Sequence, residues 1–550
     1  MIKDEITQLL VEAGRSAQAK GLLPTFALPH VPVQHPANPA YGDYASSLPL
    51  KLARAARMDP VAIARILVQE LPSTDLFARV EIAPPGFVNF TLANEWLARQ
   101  VEVIVGEGPG YGRVDLGHGQ TVQVEFVSAN PTGPLTAASG RGGALGDALA
   151  NVLAAAGYRT TREYYINDSG SRMEAFNQTL YARYAQLLGV EVEVPADGYH
   201  GGYMIDVARD IIATEGDRFL RLPQKEAESE LGRLGLARML ASIRETVALM
   251  GIRYDVWFSE QSLYDRSVVA HVLNLLRQRG YVQEREGAVW FVSTSLGEDK
   301  DNVLVRSNGV PTYFASDIAY HYDKFCIRKL GQVIDIWGAD HQGHVPRMKA
   351  GVAALGVEPE RLKVLIHQMI TLRRGDEIVR LSKRTGDIIT LAEVLEEVGA
   401  DACRFFFLSR SAEAQMDFDL DLAKKQSNEN PVYYVQYAHA RIASILRYGA
   451  GIDYSGGDVS LLQHDAELAL IRKMLEFPEL VEMMARALEP HHLPHYAQEL
   501  AALFHSFYTQ CRVVSDDQAL TKARLKLVRA AQTVLANALA LMGISAPEQM

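Results

Sequence analysis

The chain has 550 residues, too many for one hydrophobic core, and this length predicts about three to four domains. Apolar residues make up 48% of the sequence and charged residues 22%, which is ordinary for a soluble globular protein. The formal net charge of −11 argues against a generally basic surface for nucleic acid. Phosphate contact depends on local charge, however, and local basic groups occur at Lys51, Arg54 and Arg57 and at Lys424 and Lys425.

The cysteines and the N-terminus indicate the compartment. Cys326, Cys403 and Cys511 lie far apart and form no CxxC pair, so neither structural zinc nor a disulfide framework is favoured, and no metal ligands are predicted. The first residues, MIKDEITQLL, predict an acidic amphipathic helix rather than a targeting peptide. No apolar run reaches membrane-spanning length. We expect a cytoplasmic protein with no membrane partner.

Residues 1–105 predict a small α/β domain. The turn chemistry of Pro84, Pro85 and Gly86 suits a hairpin. The expected elements are helices at 2–18, 59–72 and 92–104 and strands at 80–82 and 87–91. A glycine-rich stretch from Gly106 to Gly119 follows, and it is the best candidate for a domain boundary.

Residues 120–400 alternate between strand and helix patterns, which predicts an α/β domain with a doubly wound parallel sheet of the Rossmann type. A mostly helical region, at about 190–285, interrupts the alternation and predicts an insertion. The strand candidates are 122–127, 160–166, 288–292, 303–305, 333–337 and 364–369. Residues 401–550 repeat apolar positions at helical spacing, which predicts an all-α bundle.

The most informative stretch, residues 124–147, is VEFVSANPTGPLTAASGRGGALGD. It runs from a strand through a Pro- and Gly-rich loop into a long helix, with Ser139 where we expect the N-cap. Because free N–H groups at the start of a helix attract anions, this arrangement predicts a phosphate-binding corner.

Two further segments carry groups that suit a phosphorylated ligand. WGADHQGH follows the strand at 333–337, where open parallel sheets bind their ligands. RLSKRTGD, residues 380–387, is basic and hydroxyl-bearing, and its arginines and lysine would suit a polyphosphate. Taken singly, each segment is equally well explained as an ordinary loop or surface patch.

The order of these segments is specific. The stretch at residues 124–147 resembles the signature loop of class I aminoacyl-tRNA synthetases, in the long form typical of arginyl-tRNA synthetases. RLSKR resembles the second signature of that class, Lys-Met-Ser-Lys-Arg. Other segments also match that family, so that the resemblance covers essentially the whole chain: GDYAS, PPGFVNF, PTYFASDIAYHYDKF, WGADHQGHVPR, residues 401–442 and MGISAPEQM. The chain departs at one place: where the family has His-x-Gly-His, it has Thr136, Ala137, Ala138 and Ser139.

The resemblance implies an arginine–tRNA ligase of protein synthesis. Such an enzyme activates L-arginine with ATP to arginyl-adenylate, with Mg²⁺ on the phosphates, and transfers arginine to the 3′ end of tRNA(Arg). It implies a tRNA-elbow-binding domain at 1–105, a class I catalytic domain at 120–400 and an anticodon-binding domain at 401–550. Activation is expected to need bound tRNA, and the protein is expected to be a monomer.

The resemblance also implies roles for individual residues. Catalysis is expected from Arg380, Ser382, Lys383 and Arg384, with the hydroxyls of Thr136 and Ser139 in place of the histidines. ATP is expected to contact Pro134, Leu135, Gly140, Gly338, Asp340, His341 and His344. Arginine is expected to contact Glu125, Ser128, Asn130, Glu260, Tyr313 and Asp317. Contacts to tRNA are expected from Phe87, Asn89, Tyr434, Tyr437 and His439.

Plainer interpretations stay open for several of these side chains. A guanidinium prefers a bidentate carboxylate, which Asp317 can supply, but Asp317 could instead be a helix N-cap and Tyr313 a core aromatic. The tyrosines at 434 and 437 could serve helix packing. Enzymes for glutamate or cysteine are disfavoured, because Tyr313 and Asp317 suit a cation.

The missing histidines leave two hypotheses. The chain could be an active enzyme in which hydroxyls and helix N–H groups stabilise the phosphates. It could instead be a catalytically impaired paralogue that binds only tRNA or arginine. Losing one hydrogen bond to a charged transition state costs about 3–4 kcal/mol. The persistence of RLSKR, the arginine-pocket residues and both tRNA-binding domains favours the active enzyme.

Overall fold

The computed structural model describes residues 1–379 and 389–550. Its N-terminal unit packs helices on a three-stranded antiparallel sheet of order β1-β3-β2. The elements are α1 (Ile2–Ala19), β1 (Tyr44–Ser46), α2 (Leu48–Ala56), α3 (Pro60–Glu70), β2 (Phe77–Ala83), β3 (Phe87–Leu92) and α4 (Asn94–Glu107). Strands β2 and β3 pair in register from Ala83 and Phe87 outward, so the hairpin predicted from Pro84, Pro85 and Gly86 is confirmed.

The central unit contains a five-stranded parallel sheet of order β11-β10-β4-β5-β6, and the predicted doubly wound fold is confirmed. The strands alternate with crossover helices that cover both faces. The elements of this sheet and its main crossovers are β4 (Thr121–Glu125), α5 (Ala137–Ala155), β5 (Arg159–Ile166), α6 (Ser171–Leu187), α7 (Tyr203–Glu215), α8 (Gln224–Leu249), β6 (Val256–Ser259), α9 (Gln261–Asp265), α10 (Val268–Gln278), α11 (Tyr313–Tyr322), β10 (Gln332–Gly338), α12 (Val345–Ala354) and β11 (Leu362–His367).

Two predicted members of the parallel sheet belong elsewhere. The strands predicted at 288–292 and 303–305 form a separate antiparallel sheet of three strands, β7 (Val282–Arg285), β8 (Ala288–Phe291) and β9 (Asn302–Val305). Only Glu286 and Gly287, both with positive φ, separate β7 from β8, and a two-residue turn of this kind permits antiparallel pairing only. Strands β6 and β7 also fall inside the region predicted as mostly helical.

Helices α6, α7 and α8 lie between β5 and β6 and enclose a hydrophobic core of their own around Phe176, Leu180 and Tyr184. Tyr203, at the start of α7, donates a hydrogen bond from its hydroxyl to the Thr132 carbonyl, 2.8 Å away. This insertion therefore touches the loop that follows β4.

A small sheet and a helical bundle complete the chain. The small sheet, of order β13-β12-β14, contains β12 (Ile370–Arg374), β13 (Glu377–Ile378) and β14 (Met416–Asp419), and β14 is a strand inside the region predicted as helical only. The helices are α13 (Leu391–Val398), α14 (Ala400–Leu408), α15 (Leu420–Lys424), α16 (Pro431–Tyr448), α17 (Asp465–Leu475), α18 (Phe477–Ala487), α19 (His492–Gln510) and α20 (Gln518–Met542). In the described chain α20 is long and apolar enough to span a membrane, but 67% of its apolar window is buried, as in a bundle's core helix.

The N-terminal unit rests on this bundle. Glu479 of α18 accepts a hydrogen bond from the Tyr44 hydroxyl at 2.9 Å and pairs with Lys3 at 2.6 Å. The glycine-rich stretch is packed as well, since a Cβ at Gly112 would lie 2.4 Å from the Phe477 ring. The stretch predicted as a boundary is thus part of an interface rather than a loose connection.

Candidate functional site

The loop after β4 is held in a strained conformation. Val127 and Ser128 both have positive φ, 69° and 39°, which a β-branched residue rarely adopts. The Ser128 hydroxyl accepts the Tyr165 N–H at 3.1 Å, and the Tyr164 hydroxyl donates to the Ala129 carbonyl at 2.9 Å. Strand β5 thereby fixes the loop at the carboxyl end of β4. The predicted arginine contact Ser128 is thus occupied in positioning this loop.

Helix α5 begins three residues earlier than predicted, with Thr136 rather than Ser139 as its N-cap. The Ser139 hydroxyl accepts the Thr136 N–H at 3.4 Å and lies 3.4 Å from the Thr136 hydroxyl, as in a reciprocal capping box. The observed N-cap differs from the predicted one because Thr136 has the extended backbone that a cap requires. The two residues that replace the family's histidines therefore face each other across the first turn.

Gly140 has a packing role in this helix. Its N–H already bonds to the Thr136 carbonyl at 3.2 Å, and a Cβ would lie 2.6 Å from Leu391. The N–H groups free for an anion thus belong to residues 137 and 138, because the capping box already uses the Ser139 N–H, and not to the predicted ATP contact Gly140. Among the neighbouring candidates, Pro134 is exposed and Leu135 is buried.

The corner lies where the strand order reverses. The chain passes from β4 to β5 on one side, while β10 pairs with β4 on the other, with Asp335 opposite Glu125. Loops after two such strands meet at a topological switch point, where doubly wound sheets bind ligands. The loop after β10 carries the exposed Asp340 and His341, whose side chains lie 3.4 Å apart.

The same loop also contains Gly338, at the end of β10, and His344. Gly338 has an ordinary extended backbone, and the nearest obstacle to a Cβ there is the exposed Asp340 carboxylate, 2.6 Å away. Burial, with Arg347 nearby, lowers the pKa of His344 below its usual value.

The chain that follows the basic segment lies next to this corner. Arg380, Ser382, Lys383 and Arg384 lie outside the described residues. Immediately after that segment, Thr390 forms a β-bridge with Thr136, and the Leu391 N–H donates to the Leu135 carbonyl at 2.7 Å. The chain thus returns from the basic segment directly to the first turn of α5.

A cleft with a volume of about 440 Å³ opens between the carboxyl ends of β5 and β6 and the start of α11. Its lining includes Glu174 and Glu260 and also Arg306, and Asp317 follows the lining residue Ser316. Glu260 is 2% exposed, and its Oε2 atom has no hydrogen-bond partner in the described structure. Tyr313 borders the cleft and is 40% exposed, which excludes a core aromatic. Asp317 is the fifth residue of α11, whose N-cap is Thr312, which excludes the N-cap interpretation.

The acids of this cleft are poised for a cation. Burial, aided by Glu260 and Glu125 and opposed by His321, raises the pKa of Asp317 to about 7. Burial also raises the pKa of Glu260, although nearby hydroxyls lower it. Neither acid has an ion-pair partner among the described residues. A ligand with several N–H donors and a positive charge would relieve both shifts.

Glu125 differs from these two acids. It stands in a row of buried carboxylates across three adjacent strands, with Asp335 on β10 and Glu163 on β5. The fully buried Lys324 places its Nζ 2.6 Å from Glu125 and 2.8 Å from Asp335. Because Lys324 already neutralises it, Glu125 does not present a free charge to the cleft, as the arginine-contact prediction assumed. The Glu125 carboxylate pairs with Lys324 inside the sheet instead.

The sequence did not predict this network. Although burial alone would raise it, Lys324 and His321 lower the pKa of Asp335 to about 2. His321 joins the network to the cleft, since its Nδ1 lies 2.7 Å from the Asp317 carbonyl and its Nε2 2.9 Å from Asp335. A lysine and a histidine within the otherwise apolar face of IAYHYDKF were the available hint.

Comparisons with known proteins agree along the whole chain. Residues 1–92 match the arginyl tRNA synthetase N terminal domain, residues 100–417 the catalytic domain of class I (R) tRNA synthetases, and residues 435–550 the DALR anticodon binding domain. The arginine–tRNA ligase of Dehalococcoides mccartyi strain CBDB1 is 55% identical over 100% of this chain and 99% of its own length. The chain belongs to the arginyl-tRNA synthetase family.

Further relatives and solved structures support this assignment. The arginine–tRNA ligase of Carboxydothermus hydrogenoformans is 51% identical, with 94% of each chain covered. The Thermus thermophilus arginyl-tRNA synthetase structure is 25% identical with a TM-score of 0.78, covering 100% of both chains. A putative arginyl-tRNA synthetase from Campylobacter jejuni is 31% identical with a TM-score of 0.77, covering 84% of this chain and 100% of its own.

The candidate tRNA contacts of this family member fall into two groups. Phe87 is half-buried, but Asn89, in the central strand β3, is only 6% exposed. His439 is 4% exposed, and its Nδ1 lies 2.8 Å from the Pro547 carbonyl, under the C-terminal tail. Asn89 and His439 are therefore poorly placed for the predicted tRNA contacts, because β-pairing and the tail cover them.

An aromatic surface on α16 and α19 is better exposed. Tyr437 stacks on Tyr433 at 6.1 Å, and the Arg441 guanidinium lies over Tyr437 at 4.9 Å and over Tyr508 at 5.2 Å. Tyr508 is 41% exposed. Tyr434 packs against a histidine of α19 at 5.1 Å, so its part is in helix packing. The sequence prediction missed Tyr433, Arg441 and Tyr508, which only the pairing of two helices brings together.

Proposed function

We propose that this arginine–tRNA ligase binds its arginine in the cleft between the carboxyl ends of β5 and β6 and the start of α11. One observation carries the proposal. Glu260 lies just past the carboxyl end of β6, where doubly wound sheets bind their ligands, and its charge helps to raise the pKa of the nearby Asp317. Neither acid has an ion-pair partner among the described residues.

Arginine would enter with its guanidinium toward Asp317 and Glu260, and Tyr313 would cover it from the exposed side. A planar guanidinium can donate to two carboxylates at once, which a lysine ammonium cannot match in geometry. Asn130, half-buried in the loop after β4, would hold the amino or carboxylate end of the substrate. Ser128 would act indirectly, by fixing that loop.

ATP would lie across the corner with its phosphates at the first turn of α5. The N–H groups at residues 137 and 138 and the hydroxyls of Thr136 and Ser139 would supply the donors. Asp340, an exposed carboxylate in the loop after β10, offers the hard oxygen ligand that Mg²⁺ prefers, and its position fits an ion carried on the phosphates. Lys383 and its basic neighbours would close over the pyrophosphate from the adjoining segment.

The reaction then proceeds in two displacements. The arginine carboxylate oxygen attacks the α-phosphorus, and the bond to pyrophosphate breaks, giving arginyl-adenylate. The terminal ribose hydroxyl of tRNA(Arg) attacks the adenylate carbonyl and loses its proton, and AMP leaves. The aromatic surface of Tyr437 and Tyr508 would stack on splayed anticodon bases, the usual mode for single-stranded RNA. We further propose that the protein works in the cytoplasm as a monomer.

A second candidate function rests on a specific observation. Because the hydroxyls of Thr136 and Ser139 face each other, they could be spent on capping α5 and leave the phosphates with fewer donors. The chain would then bind arginine or tRNA without activating the amino acid.

Arginine-dependent exchange of pyrophosphate into ATP, run with and without tRNA(Arg), separates the two functions. We expect exchange with arginine, dependent on tRNA, and none with lysine or citrulline. Arginine binding without exchange, even at saturating tRNA, would support the binding-only function instead.

A further inference from the structure

The connection between α18 and α19 gathers metal-binding side chains outside the site described above. Helix α18 ends at Ala487, and Leu488 turns the chain in the left-handed conformation, with φ of 61°. Glu489 and Pro490 follow, and α19 begins with His491 as N-cap and His492 as first residue. The left-handed residue and the proline restrict this short connection, so the side chains between the two helices are held close together.

The distances suit a single ion. The ligand atoms of Glu489, His491 and His492 all lie within 4.8 Å of one another. The His492 Nε2 is 3.2 Å from the Glu489 carboxylate, and the two imidazole rings are 4.2 Å apart, tilted by 33°. Donor atoms around a tetrahedral zinc with bonds of about 2.0–2.1 Å lie about 3.4 Å apart, which the pair of His492 and Glu489 already matches. Small rotations of these partly exposed side chains would close the site.

The His491 ring contacts the ring of His492. It makes no side-chain cap for α19 and no hydrogen bond with another residue in the part of the chain that the structure describes. Two imidazole rings in contact repel each other when both are protonated. A cation bound by a nitrogen of each neutral ring instead holds the two rings together. The dipole of α19 opposes a cation at its N-terminus, and the negative carboxylate of Glu489 offsets it.

We propose that Glu489, His491 and His492 bind one zinc-type divalent ion, such as Zn²⁺ or Ni²⁺. Two imidazoles and one carboxylate, with at least one position open to solvent, make a donor set that zinc uses in proteins. Magnesium and calcium are disfavoured because they prefer oxygen ligands.

The site borders a cavity of about 650 Å³ between the helical bundle and the central sheet. Glu489, Pro490 and His491 line one side of this cavity, and Gln342 and Gln368 line the other. Gln342 belongs to the loop after β10, which carries the candidate ATP contacts. A bound ion would fix the end of α18 to the start of α19 at this junction.

The test uses the full-length chain, stripped with EDTA and titrated with Zn²⁺ by calorimetry. We expect one ion per chain and a melting temperature that rises with zinc concentration, because the ion binds only the folded protein. The His491→Ala, His492→Ala double variant should bind at least about tenfold more weakly, since even outer-shell changes cost metal sites about 10–100-fold. Glu489→Gln, a milder change that keeps the helix start, should also weaken binding.

His118 provides the matched control. It lies 3.2 Å from Asp115 on the surface, an acid–imidazole pair without a second histidine, so His118→Ala should bind zinc as the unaltered chain does. Equal zinc affinity in the double variant, or no binding by the unaltered chain at about 100 μM zinc, would overturn the proposal. So would a Co²⁺ spectrum with a thiolate charge-transfer band, which would place the ion on one of the free cysteines, Cys326, Cys403 or Cys511.

Discussion

Asp317→Asn removes one carboxylate from the cleft while keeping its size. If this carboxylate pairs with the guanidinium of arginine, its loss costs about 3–5 kcal/mol, the usual penalty for breaking a buried charged pair. At about 1.4 kcal/mol for each factor of ten, the KM for arginine should rise by about 10²-fold or more. The KM for ATP should barely change, because the phosphate corner lies on α5 rather than α11.

The pH dependence gives the same prediction a second readout. Burial raises the pKa of Asp317 to about 7, so its carboxyl is partly protonated at neutral pH. Arginine pairs with the ionised form, so affinity is full above that pKa and is lost as the pH falls through it. The arginine KM of the unaltered protein should rise by up to about tenfold per pH unit below 7. Asp317→Asn should lose this dependence.

Pyrophosphate exchange from pH 5.5 to 8.5, at saturating ATP and tRNA, measures both effects. Asp265→Asn is the control, since Asp265 is an exposed acid on the nearby helix α9. An arginine KM that is unchanged in Asp317→Asn, or that keeps its dependence on pH, would remove Asp317 from the guanidinium site.

Three further variants probe the network, the interface and the tRNA surface. Lys324→Met leaves Glu125 and Asp335 without their shared cation, so urea unfolding should show a loss of about 3 kcal/mol or more; a loss below about 1 kcal/mol would mean that the pair does not matter. Glu479→Gln should lower the melting temperature at pH 7. Although burial raises the pKa of Glu479, His35 and Lys3 lower it overall, so this difference should shrink as the pH falls through that pKa; a difference that does not change with pH would contradict the ion-pair account. Tyr437→Ala should raise the KM for tRNA by about tenfold, the loss of one stacked base, with the KM for arginine unchanged; an equal effect on both would indicate misfolding instead.

Local chemistry explains what could be predicted from sequence. The hairpin at Pro84–Gly86 follows from turn residues, and the parallel sheet follows from alternating apolar strands and helices. The assignment of 288–292 to that sheet was wrong because pairing partners, not apolar content, decide sheet membership. The N-cap of α5 was misplaced because Thr136 and Ser139 are both good caps and only the backbone geometry distinguishes them.

Contacts between distant parts of the chain account for what could not be predicted. Glu125, Lys324 and Asp335 meet only when two strands and a helical segment are assembled, so no local pattern indicates that Glu125 is neutralised. The cover over His439 comes from Pro547, more than a hundred residues further along the chain. The order of the motifs was therefore enough to predict where the candidate site lies. Which of its side chains are neutralised or covered depends on how the folded chain packs.

The central claim is that the chain, as written, ligates arginine with hydroxyls in place of the family's histidines. Its most direct test is arginylation of tRNA(Arg) by the unaltered protein, measured as ATP-dependent attachment of labelled arginine. The account predicts that the tRNA is charged, and that a variant carrying Thr136→His, Ala138→Gly and Ser139→His is no more than about tenfold faster. No charging by the unaltered protein, together with charging by that triple variant, would contradict the claim and leave this chain a binding protein.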